Sequence, residues 1–101
     1  MAKHALQLGT ATFVRKVTDW RSDARLYRVD PPITYDNWGG GAPKTTDHVI
    51  VSAVLAYSGP ETYIFPAMAD GEAINMGELD GSQRGDVSHE EALEAAGYEV
   101  A

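Results

Sequence analysis

Asp47 to Pro66, DHVIVSAVLAYSGPETYIFP, restricts the fold more than any other stretch of the chain. It joins a β-branched and aliphatic run to a turn built on Ser58, Gly59, Pro60 and Glu61, followed by a second short run with Tyr63, Ile64 and Phe65. That is a hairpin pattern. Along the first arm Val49, Val51, Ala53, Leu55 and Tyr57 share one face. Ile50, Val54 and Ala56 share the other with His48 and Ser52. Both faces are therefore largely apolar, and such a strand belongs inside a sheet with protein on each side.

The remaining chain supplies strands around this hairpin and one helix. Thr10 to Thr18 alternates as an outer strand, with Arg15 and Lys16 guarding it against edge pairing. Arg25 to Asp30 reads as the next strand, ended by Pro31 and Pro32, which cannot donate to a ladder. Asp70-Gly71 is a pair favoured in type I′ turns, and Glu72 to Leu79 follows as a further strand. At the C-terminus Ser88 and Glu91 form a capping box. His89, Ala92, Leu93 and Ala96 then lie on one helical face, and Gly97 stands where a left-handed residue ends the helix. The expected fold class is α+β: a mainly antiparallel, twisted sheet of about five strands with one C-terminal helix packed against it. With 101 residues the chain is expected to form a single domain, 1–101. Residues 1–9 are read as a loose arm and residues 33–46, with three glycines and Pro43, as an exposed loop.

Charge and composition narrow the function classes. Up to Thr46 there are seven basic and four acidic residues, a net +3; from Asp47 onward Arg84 faces eleven acids, a net −10. An acidic remainder disfavours direct nucleic-acid binding. The absence of cysteine, of a signal-peptide pattern and of an apolar run near 20 residues long makes a cytoplasmic protein without a membrane segment the expectation.

No motif organises a catalytic set. GGGAPKTT has Pro43 where a P-loop requires glycine, which removes a phosphate-binding N–H. DGSQRGDVSHEE can be laid over a calcium loop with Asp80, Ser82 and Glu91 as ligands, yet Arg84 occupies a ligand position. Turn formation by Asp80 and Gly81 and capping by Ser88 and Glu91 account for the same residues without a metal. The histidines His4, His48 and His89 are scattered, and there is neither a GxSxG elbow nor a thiol nucleophile. Neither a metal nor a cofactor is expected.

The residue types that anchor partners are Trp20 and Arg21 in a polar loop, Arg25 and Arg28 in the strand that follows, and Trp38 before the glycines. For each tryptophan the alternative is a ring folded back over a small core. The leading functional expectation is a non-enzymatic binding module that engages a protein partner. The alternatives are a small-ligand, nucleotide-like sequestering protein using Arg15, Arg25 or Arg28 for an anionic group, an enzyme with a dispersed site, and a structural homo-oligomer.

FVRKVTDWRSDARLYRVDPP, VIVSAVLAYSGPETYIFPA, GELDGS and SHEEALEAAGYEV together resemble a family of small acidic proteins encoded by actinobacteria and by phages that infect them. In that family runs of the type VRKVTGW, LYxLDPP, VVVSAV, SGPETYIFPA, GELxGS and HEEALxxAGYEV recur in this order. The likeness covers about Ala11 to Val100 and departs at Ile33 to Thr46 and at Asn75-Met76, where the family pattern has a polar residue followed by Trp. It implies a phage or actinobacterial setting: an accessory protein engaging a host protein in the host cytoplasm, or a virion component. It transfers no catalytic residue.

Overall fold

The computed structural model describes residues 9–18, 20, 22–36, 40–56, 59–75, 77–79, 82–84 and 88–101. In chain order the elements are β1 (Gly9–Lys16), β2 (Asp23–Tyr35), β3 (Lys44–Ala56), β4 (Gly59–Ala67), β5 (Gln83–Arg84), α1 (His89–Ala95) and β6 (Tyr98–Val100). The strands form one curled sheet in the order β5-β4-β3-β2-β1-β6. It is a sheet-plus-helix fold, but the sheet is mixed, because β6 pairs parallel to β1 through Gly9–Tyr98, Thr10–Glu99 and Ala11–Val100. A chain that leaves β5, forms a helix and returns along the far edge can run in either direction there. Local sequence pattern carries no information on which.

The two-sided β3 is present as its residues dictate. Val49, Ile50 and Val51 are wholly buried, yet they serve different cores. Val49 and Val51 pack with Tyr27, Val29, Ile64 and Ala11 beneath Ala92, Leu93 and Tyr98. Ile50 packs on the opposite face with Leu26, Ala24, Ala67 and Val17, covered by Trp20 and Ala73. The paired register explains this division, since Leu26 opposes Ile50 while Tyr27 opposes Val49, and alternate residues face opposite sides.

The helix also follows its local chemistry. The Ser88 hydroxyl accepts from the Glu91 N–H at 3.1 Å and the Glu91 carboxylate accepts from the Ser88 N–H at 3.1 Å, which completes the capping box. His89, Ala92 and Leu93 are buried, and Gly97 takes φ 100° just after the C-cap. His89 lies 2.8 Å from the Asp23 carbonyl oxygen, which can only accept, so Nε2 carries the proton and ties α1 to β2.

Several boundaries differ from expectation. Pro31 and Pro32 do not end β2; the strand runs on to Tyr35 while its pairing with β3 lapses between Arg28 and Ile33. Over that gap β2 advances five residues and β3 two, because neither proline can donate to the ladder. Residues 33–46 are consequently not one loop: Ile33, Thr34 and Tyr35 pair with Thr46, Thr45 and Lys44. Gly59, Pro60 and Glu61, expected in a turn, already belong to β4. Glu72 to Leu79 is not a strand. Ala73 makes one bridge to Ala67, and single hydrogen bonds from Ile74 to Pro66 and from Leu79 to Ile64 hold an irregular segment. The turn before it is not type I′, which needs two positive φ values, since Gly71 has φ 93° and no described non-glycine residue is positive. Gly9, read as part of the arm, starts β1 and donates to Gly97. A Cβ there would strike the Asp30 carbonyl oxygen.

Replacing Ile50 by Ala should cost about 2–5 kcal/mol of unfolding free energy, because its core is thin and a cavity there cannot refill. Ser88→Ala should cost about 1 kcal/mol through the lost cap. Urea denaturation of each variant against wild type checks both.

Candidate binding cleft

Where β2 and β3 lose their pairing, the chain opens a cleft of about 380 Å³. Three segments line it: residues 31–35 of β2 with Asp36 after them, residues 75 and 77–79, and Ala96 with Tyr98 just after the helix. The proline pair is the local cause. With no N–H on Pro31 or Pro32 the ladder to β3 lapses, and Pro31 to Tyr35 form one wall.

Hydrogen bonds fix the walls against one another. The Tyr98 hydroxyl donates to the Pro31 carbonyl oxygen at 2.7 Å, and the Asn75 amide donates to the Asp36 carbonyl oxygen at 3.1 Å. Asn75 Oδ1 accepts from the Gly77 N–H at 2.8 Å, and the Leu79 N–H reaches the Ile64 carbonyl of β4 at 2.8 Å. Ile33, Leu79 and Ala96 rest on the helix-side core, so the apolar part of the lining is anchored there.

The charged part of the lining has one sign. Asp36 and Glu78 are exposed carboxylates from separate segments, and no Lys, Arg or His lines the cleft among the described residues. Burial pushes the Tyr98 phenol above its ordinary value of 10.0, reinforced by the Asp30 carboxylate. At neutral pH Tyr98 is therefore a protonated donor, as its bond to Pro31 requires. The cleft offers carboxylate acceptors, two phenols and an apolar base. It contains no nucleophile paired with a base, and no group of three potential metal ligands occurs among the described residues.

Of the residues singled out from sequence, those that are described are dispersed and none of them lines this cleft. Trp20 is half-buried against Phe65, ring centroids 5.7 Å apart, on the face away from the helix, and serves as a lid. Arg25 and Arg28 are three residues apart in a regular strand and so project from opposite faces. Arg25 lies 3.5 Å from Asp23, while Arg28 is exposed near Asp47, whose carboxyl the His48 hydrogen bond holds below its ordinary range. Arg15 donates to the Asp70 carbonyl at 2.5 Å and to that of Lys16 at 3.0 Å. The three arginines of the anion-site alternative thus do not converge. Arg21, Trp38 and His4 lie outside the described residues, as does Asp80 of the calcium alternative. Ser82 accepts from the Ile64 N–H at 2.9 Å and Glu91 caps the helix, so both of those oxygens are engaged by backbone.

Asn75 and Glu78 were not identifiable as one group with Tyr98, because they lie far from it in sequence and meet it only through the docking of β6. The proline pair was the available signal: a strand that resumes after two non-donors leaves an unpaired gap. No protein-family model, curated protein or solved structure matches the chain.

Tyr98→Phe should cost about 1 kcal/mol at neutral pH by removing the bond to Pro31. A phenol whose folded pKa is raised contributes stability that is complete below the unfolded value of 10.0 and is lost as pH rises through the folded value. Tyr27, also raised by burial, behaves alike, although neighbouring Arg25 works against the shift. Urea titrations from neutral pH to about pH 11 should show wild-type stability falling above pH 10.0 and Tyr98→Phe losing less over the same window.

Proposed function

We propose that this chain is a non-enzymatic binding module that engages a protein partner through the cleft at residues 31–36 and 75–79. The observation that carries this reading is a concave site whose walls are pinned by hydrogen bonds from Tyr98, Asn75 and Leu79, with no nucleophile paired with a base among the described residues of its lining. The likeness to small acidic actinobacterial and phage proteins adds a setting, that of a phage accessory protein acting on a host protein in the host cytoplasm. A nucleotide-like ligand is less well served. Phosphate would meet Asp36 and Glu78 in the cleft, and Arg15, Arg25 and Arg28 lie elsewhere.

A second reading, association between copies, is favoured by the outer half of β1. There β6 pairs only as far as Ala11, and Phe13 and Val14 are 48% and 44% exposed. Light scattering tests it, and a monomer at high concentration would remove it.

The leading reading is tested by capture from actinobacterial lysate with wild type and Thr34→Arg, a change at an exposed position of the lining. Wild type should retain a discrete protein that the variant loses at an unchanged thermal midpoint. No retained protein, or equal retention by both, would sink the cleft as the partner site.

A further inference from the structure

We propose that the group received by the cleft is a single cationic side chain, arginine or lysine, presented by an exposed segment of the partner. This rests on the cleft being the partner site. Its two charged lining residues, Asp36 and Glu78, come from different segments, so a cation between the walls would meet carboxylates from both. The surroundings carry the same sign. Ala96 is the C-cap of α1, whose last turn has no basic residue, so the negative pole of the helix borders the cleft without an offsetting charge. Glu94, two residues before Ala96, is exposed and acidic as well. The nearest cation by strand register, Lys44, opposes Tyr35 in the ladder and is not part of the lining.

Size and the uncharged lining agree with this occupant. A volume of about 380 Å³ lies at the small end of ligand sites, and suits one long side chain better than an extended segment. Ile33, Leu79 and Ala96 provide an apolar surface for a methylene stem, and the half-buried Tyr35 adds a ring of the kind that attracts a guanidinium or ammonium group. A stem that packs on apolar surface and a head that seeks carboxylate describe arginine and lysine and no other side chains. An aliphatic side chain would leave the carboxylates unused, and an acidic one would be repelled.

The test uses two synthetic tripeptides, acetyl-Ala-Arg-Ala-amide and its neutral isostere with citrulline in place of arginine. Each is titrated into the full-length protein while the backbone amide resonances of Ile33, Gly77, Leu79 and Ala96 are followed. The arginine peptide should shift these resonances saturably and bind about tenfold more tightly than the citrulline peptide, a ratio within reach of two partly solvated ion pairs. That preference should shrink to about threefold or less in the Asp36→Asn, Glu78→Gln double variant at an unchanged thermal midpoint, and should weaken between about 50 mM and about 500 mM salt. Equal affinity for the two peptides would overturn the inference while leaving the cleft as a docking site, since loss of partner capture by Thr34→Arg is read independently. Absence of any shift at these four residues, or shifts centred elsewhere, would also overturn it.

Discussion

The molecule depends on β3 being buried on both faces. Val49 and Val51 require cover on one side and Ile50 on the other, and a chain of this length has little material for either layer. The helix-side cover is a seven-residue helix, about 10 Å long, and the other is a half-buried Trp20 with the irregular segment around Ala73. Strands β2 and β3 run for thirteen residues each, about 40 Å if straight. Neither layer can reach their whole length. The uncovered end of β2 is where the cleft lies, so the shortage of covering material and the candidate site have one origin.

Several polar side chains hold this arrangement together. Arg15 fixes the turn at Asp70, which joins β1 to the segment covering the second core. His89 binds the Asp23 carbonyl, and Arg25 stands between Asp23 and Tyr27. Ser22 and Ser52 meet at 2.5 Å, and the buried Glu61 accepts from the Tyr63 hydroxyl. The His89–Asp23 and Ser22–Ser52 contacts join separate segments through part-buried groups whose desolvation would otherwise oppose burial. Of the basic residues of the N-terminal half, Arg15 and Arg25 are thus engaged within the fold. The concave surface carries carboxylates.

Pro31 and Pro32 illustrate how one local fact can be read two ways. Their missing N–H groups argue for a strand end, and in the molecule they interrupt pairing with β3 without ending the strand. The distal pairing of Ile33, Thr34 and Tyr35 with Thr46, Thr45 and Lys44 restores β2 because β3 begins earlier than its apolar pattern suggests. Polar, partly exposed strands of this kind leave no hydrophobic alternation to detect. For the same reason Trp20 looked like a candidate anchor: a ring in a polar loop is legible, but the Phe65 that it packs on belongs to β4, far along the chain.

Period-two burial in β3, the reciprocal Ser88–Glu91 cap and the left-handed Gly97 were legible from residues alone, since each is governed by neighbours within a few positions. The parallel docking of β6 on β1 and the meeting of Asp36, Glu78 and Tyr98 around one cavity were decided in three dimensions. Those features join segments that no local pattern connects, and they exist because tertiary packing, in closing the sheet, chooses which distant backbones come within hydrogen-bonding distance.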